Sequence, residues 1–359
     1  MKKLILLLII LIIPFKVSAF STNAKSAILM DIDSGRVLYA KDVHRVQSVA
    51  SISKIMTAII AIENADINKT VTIGDEILKS YGSGIYVKKG EKIKLEDLLY
   101  GLMLRSGNDA ALAIAVATSG SVEDFVKLMN EKAIELGMEN TVFNNPSGLD
   151  QEKGNYSSAY DMALLTKYAM KNKEYRKIVS TKSHTVKTNK NTYKWRNKNK
   201  LLFSYKYITG GKTGFTKIAK RTLVTTASKD GLNLLVVTIN DGSDWKDHKE
   251  LYEETFKKYT AYNILDKGER TVLGETYYQN HTLYLKEEFK YPLLEVEKEA
   301  LSLKFELEKK RKYKSEDKVG KVNIYIGDKK IGERNVYVKI DKKKSGIFNR
   351  IKSWFSNDK

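Results

Sequence analysis

The sequence predicts an α+β domain with an antiparallel sheet, followed by a small all-β domain and a C-terminal amphipathic helix. Two hairpin patterns, at residues 27–40 and 221–239, enclose a stretch of helical periodicity. The turns around Gly35 and Gly231 are short, so each pair of strands is antiparallel. Strands at both ends with helices between them indicate that the two ends of this region share one sheet.

The first residues have the order of a secretory signal peptide. A charged start with Lys2 and Lys3 precedes an apolar run at 4–13, and small residues up to Ala19 suit cleavage. The sequence therefore predicts a signal peptide over 1–19 and an exported protein. An uncleaved membrane anchor is the alternative, but the apolar run is shorter than the about 20 residues that a spanning helix needs.

The first predicted domain covers residues 20–263 and alternates between strand and helix patterns. Apolar residues recur with helical spacing in several segments between the two hairpins. These predicted helices are 51–64, 95–102, 109–118, 122–136 and 158–170.

A small β-sandwich domain is predicted over residues 264–340, because apolar residues there alternate with a period of two. The tail at 341–359 begins with three lysines and forms an amphipathic helix pattern with Trp354 and Phe355 on its apolar face. We expect residues 345–355 to lie in an anionic membrane surface. Packing of this helix on the β domain is the alternative.

Composition narrows the classes of function. The chain has 359 residues and no cysteine, which excludes disulfides, cysteine nucleophiles and thiolate metal sites. Its formal net charge of +20 favours anionic partners. With an export signal, these partners are a membrane surface or a wall polymer, and no nucleic acid is expected. A solvated, lysine-rich surface explains the charge equally well.

Ser51 and Lys54 are the candidate nucleophile and base, because a serine hydroxyl needs a base and no histidine lies in a suitable motif. On a helix, residues three positions apart share one face. The same S-x-x-K spacing occurs at 243–246, 315–318 and 356–359, but only Ser51 opens an apolar helical run. Without further motifs, a helix N-cap at Ser51 and a solvated lysine at position 54 are equally good interpretations.

Two further motifs strengthen the catalytic interpretation. Ser106-Gly107-Asn108 lies between apolar segments, and Lys212-Thr213-Gly214 precedes the last hairpin of the domain, where we expect a sheet strand. Glycines at such a strand permit close approach of a ligand to the backbone.

The three motifs in this order resemble those of the penicillin-recognising serine enzymes. The residues around the motifs are similar to those of low-molecular-mass penicillin-binding proteins of the D-alanyl-D-alanine carboxypeptidase family. The matching segments are ASISKIMT at 50–57, LLYGL at 98–102, SGNDA at 106–110, FNNPSGLD at 143–150 and GGKTGFT at 210–216. The resemblance covers about residues 20–340 and implies a penicillin-binding, β-lactamase/transpeptidase-like catalytic domain.

The resemblance also implies a reaction. Ser51 would attack the bond between the two terminal D-alanines of a peptidoglycan pentapeptide stem, and water would release the acyl group. β-Lactams would act as covalent inhibitors, and no cofactor or metal is implied. Lys54 would be the base, with Lys212 as the second cation that keeps Lys54 neutral.

Roles for the other site residues follow from the same resemblance. Ser106 would pass a proton to the leaving amine, and Asn108 would bind a substrate amide. Lys212, Thr213 and Gly214 would face the terminal carboxylate, and the amide of Phe215 would join that of Ser51 in holding the oxyanion.

Three alternatives remain beside this interpretation. A β-lactamase with a deacylating glutamate needs an E-x-x-x-N element, and residues 140–151 contain no glutamate. A transpeptidase would use an amine acceptor instead of water. A non-catalytic wall-binding protein would be expected to carry a damaged motif. Ser147 and Lys220 depart from the commoner family pattern, which affects substrate detail rather than reaction class.

Overall fold

The computed structural model describes residues 21–150, 154–278 and 281–340. The predicted signal peptide at 1–19 and the predicted tail helix at 341–359 lie outside the described residues. Within the described ranges, no helix is both long and apolar enough to cross a membrane.

The first region contains a central sheet and several small ribbons. Its strands are β1 (Ser26–Asp31), β2 (Val37–Lys41), β3 (Gln47–Ser48), β4 (Thr70–Thr72), β5 (Lys92–Lys94), β6 (Tyr156–Ser157), β7 (Ser183–Lys187), β8 (Thr192–Arg196), β9 (Ile208–Thr216), β10 (Lys220–Lys229) and β11 (Leu232–Ile239). The central sheet is antiparallel with the order β2-β1-β11-β10-β9. Pairing of β1 with β11 confirms that the two ends of this region share one sheet.

Helices pack against this sheet and contain most of the apolar core. They are α1 (Lys54–Asn64), α2 (Leu95–Tyr100), α3 (Asn108–Ser119), α4 (Val122–Glu135), α5 (Ala159–Ala169), α6 (Lys173–Ser180), α7 (Leu201–Ser204) and α8 (Asp244–Lys258). All of α1 from Lys54 to Ala61 is buried, as expected for an apolar helix in the middle of a domain. The α+β class is confirmed.

Several helices and strands of the structure were not predicted from the sequence. The ribbon of β7 and β8 buries only Val186 and Trp195 among its residues, so its alternation is too weak to stand out. Helix α6 is a short amphipathic segment of 8 residues. Helix α8 is largely polar and buries one face against β10 and β11, so it lacks the apolar density of the predicted helices.

Two irregular turns determine where the motif residues lie. A 3-10 turn at Ala50–Ser53 precedes α1, and Ala50 adopts φ 49°. A π-helical turn at Gly101–Arg105 follows α2 and ends at Ser106, which has φ 63°. Non-glycine residues seldom adopt positive φ, and such strain concentrates at functional sites.

The C-terminal region is all β, as predicted. Its strands are β12 (Thr260–Leu265), β13 (Gly268–Arg270), β14 (Thr282–Leu285), β15 (Phe289–Leu293), β16 (Leu301–Leu307), β17 (Lys318–Ile326) and β18 (Lys329–Lys339). One sheet has the order β13-β14-β18-β17-β16, and β12 pairs separately with β15. Strand β12 crosses the sequence-based boundary at 263/264, because its pairing partner lies in the C-terminal region.

Arg36 connects the first region to the β domain. Its guanidinium donates hydrogen bonds to Pro292 O (2.6 Å) and to the Glu297 carboxylate. The same group lies over the rings of Tyr259 and Tyr291, 5.4 and 5.2 Å from their centroids. A mostly buried ion pair with aromatic contacts is a specific contact between the two regions.

Candidate active site

Ser51 and Lys54 lie together where the 3-10 turn passes into α1. The Lys54 Nζ atom is 3.1 Å from Ser51 Oγ, within hydrogen-bond distance. Ser51 is half-buried, whereas Lys54 is completely buried. A lysine with no exposed surface is rare unless its amine has specific partners.

The Lys54 amine is held by two further oxygen atoms. It donates to Asn108 Oδ1 (2.7 Å) and to the main-chain carbonyl of Ser147. Burial, with a smaller contribution from the positive charge of Lys198, lowers the pKa of Lys54 to about 7, against the opposing effect of Asp109. A neutral amine within reach of a serine hydroxyl can accept its proton near neutral pH.

Ser106 and Lys212 form a second hydroxyl–amine pair. Lys212 Nζ lies 3.0 Å from Ser106 Oγ and donates to the carbonyl oxygen of Thr213 at 2.6 Å. Burial lowers the pKa of Lys212 well below its usual value, and the positive charges of Lys54 and Lys198 lower it further. Ser106 is in the left-handed conformation, with φ 63°, and its hydroxyl lies within hydrogen-bond distance of this lysine.

The sequence predicts Lys212 as the cation that repels a proton on Lys54, and the structure adds two further influences. Burial has the largest effect on the pKa of Lys54, and the positive charge of Lys198 lowers it further. Repulsion between the two motif lysines is present, and it lowers the pKa of Lys212. The amine of Lys212 is directed at Ser106 and at its own strand.

Asn108 connects the motif residues to the loop at 80–87. Its Oδ1 atom accepts from Lys54, while Nδ2 donates to the carbonyl of Tyr81 at 2.6 Å. An amide nitrogen has two hydrogens, so one remains for a substrate group. The neighbouring Asp109 accepts from the backbone amides of Ile85 and Tyr86, which anchors the same loop beside the site.

Strand β9 passes directly beside the backbone of Ser51. A Cβ atom at Gly214 would collide with Thr222 Oγ1 and would lie 3.0 Å from the amide nitrogen of Ser51. Only glycine therefore permits this approach. Because β9 ends the order of its sheet, one edge of the strand lies open to the cleft, and Phe215 is exposed there.

A cavity of about 360 Å³ opens over Ser51 and β9. Thr213, Gly214 and Phe215 line it on the strand side, with Ser51 at its base. Lys198 and Arg221 add positive charge, and Arg221 is paired with Asp244. The cavity is therefore lined both by the candidate nucleophile, Ser51, and by the positively charged side chains of Lys198 and Arg221.

All the site residues that the sequence predicts meet in this cleft: Ser51, Lys54, Ser106, Asn108, Lys212, Thr213, Gly214 and Phe215. The main-chain carbonyl of Ser147 and the amine of Lys198 also belong to it, and neither was predicted. A contact made by a main-chain carbonyl leaves no trace in the sequence, because any residue type can make it. Lys198 is one of many lysines, and no motif distinguishes it from the others. Across the described part of the chain, no cluster of side chains has the composition of a metal site.

The comparisons with known proteins agree with this geometry. A family model described as D-alanyl-D-alanine carboxypeptidase matches residues 13–243. The chain belongs to the D-alanyl-D-alanine carboxypeptidase family. A second model, described as the C-terminal domain of penicillin-binding protein 5, matches residues 259–344. The expected resemblance is confirmed on both regions.

Individual members of the family cover different shares of the chain. D-alanyl-D-alanine carboxypeptidase DacF of Bacillus subtilis is 38% identical over 66% of each chain, and DacD of Escherichia coli is 28% identical over 96% of this chain and 93% of its own. Among solved structures, penicillin-binding protein 5 of Haemophilus influenzae has a TM-score of 0.75 at 27% identity, covering 89% of this chain and 98% of that one. The DD-transpeptidase of Streptomyces K15, solved as a mutant, has a TM-score of 0.63 at 31% identity, covering 66% and 99%.

Proposed function

We propose that the chain is a serine-type D-Ala-D-Ala carboxypeptidase that removes the terminal D-alanine from peptidoglycan pentapeptide stems. The observation that carries this proposal is the buried amine of Lys54, 3.1 Å from Ser51 Oγ and with a pKa of about 7. Family membership indicates the reaction class, and the Ser51–Lys54 pair supplies a nucleophile with its base.

Acylation begins with transfer of the Ser51 proton to neutral Lys54. The serine oxygen then forms a bond to the carbonyl carbon between the two D-alanines. The amides of Ser51 and Phe215 stabilise the oxyanion of the tetrahedral intermediate, because Gly214 lets β9 approach the nucleophile closely. This stabilisation acts in a partly dry cleft, where it is strongest.

Collapse of the intermediate breaks the peptide bond and needs a proton on the leaving nitrogen. Ser106 donates that proton and takes up the one that Lys54 received from Ser51, so Lys54 is neutral again before deacylation, and Lys212 Nζ, 3.0 Å from the Ser106 hydroxyl, holds this hydroxyl in place. Thr213 and Lys212 bind the terminal carboxylate, and this negative charge favours the protonated form of Lys212. Asn108 offers its remaining amide hydrogen to a substrate carbonyl.

Deacylation is the attack of water on the acyl-Ser51 ester. Lys54 takes a proton from the water, Ser51 regains its hydroxyl, and the shortened stem leaves. A β-lactam forms the same acyl bond, but its leaving group remains tethered, so the acyl-enzyme persists. The expected result is stable covalent labelling by penicillin.

The division of the chain supports export to the cell wall. We expect a signal peptide at 1–19, a catalytic domain at 20–263, a β domain at 264–340 and a membrane-binding tail at 341–359. The tail would hold the enzyme at the outer face of the cytoplasmic membrane through anionic lipid. Loss of binding to anionic vesicles on deleting 341–359 would support this anchor, and unchanged binding would exclude it.

The reaction itself is tested by product analysis with a stem pentapeptide, with and without an added amine acceptor. The proposal predicts free D-alanine and a tetrapeptide in both cases. A product joined to the amine as the main species would instead indicate a transpeptidase, the activity that the solved relative from Streptomyces K15 is named for. Absence of D-alanine under both conditions would contradict the proposal.

A further inference from the structure

The loop between β16 and β17 concentrates positive charge in the β domain. Residues 264–340 contain 17 lysines and arginines and 14 acidic residues, and five of the basic residues lie within 309–314, where the sequence is KKRKYK. The rest of this range is nearly balanced in charge. A lysine-rich surface spread evenly over the chain does not produce this distribution. Blocks of about five like charges repel one another and often mark a binding segment.

Uncharged groups hold this basic loop, 309–314, against the domain. The ring of Tyr313 packs edge-on against that of Tyr278, with centroids 5.3 Å apart. The hydroxyl of Tyr277 donates to the main-chain carbonyl of Lys310 at 2.7 Å. A loop that is already held in one shape loses less conformational entropy when it binds a partner.

Most of the charge of the basic loop faces solvent. Four of its five cations have exposed side chains and, among the described residues, form no ion pair: Lys309, Arg311, Lys312 and Lys314. The fifth, Lys310, is half-buried, and its amine lies 3.5 Å from the Glu308 carboxylate. Of the acids that follow the loop, Glu316 lies 3.9 Å from Lys286, and Asp317 accepts from a main-chain amide at 2.7 Å. The four exposed charges are therefore free to attract an anionic surface.

The turn that leads into Tyr277 exposes an apolar side chain. Leu273 is 94% exposed, in a turn that is closed by a hydrogen bond from the Glu275 amide to the Val272 carbonyl at 3.2 Å. Tyr277 is itself partly exposed and bonds to the basic loop. Exposed leucine and tyrosine together with lysine and arginine are typical of surfaces that lie in a lipid headgroup layer. A soluble anionic polymer offers nothing to the leucine, so this side chain favours lipid as the partner.

The basic loop leads into the segment that pairs with the end of β18, where the described chain continues toward the proposed tail. The amide of Ile340 donates to Ser315 Oγ at 3.3 Å, and the amide of Glu316 donates to the carbonyl of Val338 at 2.7 Å. The stretch proposed to bind lipid begins at residue 345, and five residues span at most about 17 Å. A tail seated in a membrane therefore holds this end of the β domain within about two Debye lengths of the headgroups.

We propose that the basic loop and Leu273 form a second lipid-contact surface, which binds anionic phospholipid headgroups. The four exposed cations contact the headgroups, and the leucine lies among them. This inference rests on the proposed tail anchor and adds to it a contact that fixes how the β domain is oriented on the membrane. Because the tail keeps the loop at a high local concentration near the lipid, even a weak contact raises the overall affinity.

The test measures co-sedimentation of the full chain with vesicles of phosphatidylcholine that contain about 30% phosphatidylglycerol, beside vesicles of phosphatidylcholine alone. The loop variant carries Lys309→Gln, Arg311→Gln, Lys312→Gln and Lys314→Gln. Each charge near an anionic surface contributes about fivefold in affinity, so the loop variant should bind the anionic vesicles at least tenfold more weakly in low salt. This difference should disappear in high salt, which screens the charges.

A matched control separates the basic loop from the net charge of the chain. It replaces four exposed lysines of the first region by glutamine, which changes the charge by the same amount: Lys171, Lys173, Lys187 and Lys194. Its affinity for anionic vesicles should stay within about twofold of that of the unaltered chain, because these positions lie outside the basic loop.

Leu273→Ser tests the apolar part of the surface. Its affinity for anionic vesicles should fall about threefold in low and in high salt alike, because salt does not screen an apolar contact. Leu78→Ser is its control, since Leu78 is 70% exposed in the first region. Equal binding by the Leu273 variant and the unaltered chain would remove the leucine from the proposed surface.

The remaining outcomes separate this inference from the anchor on which it rests. Unchanged vesicle binding by the loop variant, or an equal loss in the four-lysine control, would overturn it. Loop-dependent binding of soluble polyphosphate without any effect on vesicles would assign the loop to a wall polymer and also overturn it. Unchanged binding after deletion of 341–359, with a loss in the loop variant, would overturn the tail anchor alone. Normal D-alanine release without vesicles shows that each variant is folded.

Discussion

The amine nitrogen of Lys54 lies 3.1 Å from the hydroxyl oxygen of Ser51, and the lysine side chain has no exposed surface. Burial is the main reason that the pKa of this lysine falls to about 7. An ordinary lysine, with a pKa of about 10.4, would be almost fully protonated at neutral pH and could not act as a base. The environment of α1 therefore converts a common residue into a candidate catalyst.

Acylation should depend on pH with an apparent pKa of about 7, which is the value for Lys54. The base is active when deprotonated, so kcat/KM should rise about tenfold per pH unit below pH 7 and level off above it. Lys54→Ala should lower the acylation rate by about 10²–10⁴-fold, the usual contribution of a general base. Stopped-flow labelling with a chromogenic cephalosporin measures both effects. A flat profile between pH 5 and 8 would exclude Lys54 as the base.

Lys198→Met should move the acidic limb of that profile to higher pH. The positive charge of Lys198 lowers the pKa of Lys54, so its removal raises the pKa of the base. The matched control is Lys200→Met, because Lys200 is exposed two residues away. An unchanged limb in the Lys198 variant, with activity retained, would show that the charge of Lys198 does not lower the pKa of Lys54.

Gly214→Ala should impair acylation without unfolding the protein. The added Cβ would collide with Thr222 Oγ1 and lie 3.0 Å from the Ser51 amide, so β9 must move away from the nucleophile. A displacement of about 1 Å in such a site can reduce the rate about 10²-fold. Penicillin labelling rates measure the loss, and Gly242→Ala, where a Cβ meets no atom within 4 Å, is the control. Normal labelling of the Gly214 variant would contradict the close approach of β9.

Arg36→Met should weaken the contact between the catalytic region and the β domain. The variant removes hydrogen bonds to Pro292 O and to the Glu297 carboxylate, which are mostly buried. A lost hydrogen bond to a charged group destabilises by about 2 kcal/mol. Calorimetry should show that the first unfolding transition occurs at a lower temperature, while D-alanine release at 25 °C is unchanged. A loss of activity at that temperature would mean that this contact also supports the cleft.

Much of the fold was accessible from periodicity. The hairpins at 27–40 and 221–239 became β1–β2 and β10–β11, because short turns and buried apolar strands leave strong patterns. Helix α8 and the β7–β8 ribbon were not predicted, because their buried residues are few and widely spaced. Strand β12 lies across the predicted boundary, since pairing with β15 is a long-range choice that no local pattern reports.

The site was accessible through its motifs, but its electrostatics were not. The order of the motifs predicts that Ser51, Ser106 and Lys212 share one site, and the structure pairs Lys54 with Ser51 and Lys212 with Ser106. The contribution of Lys198 and the carbonyl of Ser147 depend on the path of the chain in space. The 3-10 turn at Ala50–Ser53 also differs from the simple helix start expected there, because Ala50 adopts positive φ.

The most direct test of the account is covalent labelling of Ser51→Ala beside Ser315→Ala. Ser315 begins another S-x-x-K sequence, in the β domain, and its hydroxyl accepts a hydrogen bond from the amide of Ile340. Intact mass spectrometry after exposure to penicillin, with D-alanine release measured in parallel, decides the matter. The account predicts one penicilloyl group per chain and normal D-alanine release for Ser315→Ala, and neither for Ser51→Ala. Penicilloylation or D-alanine release by a folded Ser51→Ala protein would contradict it.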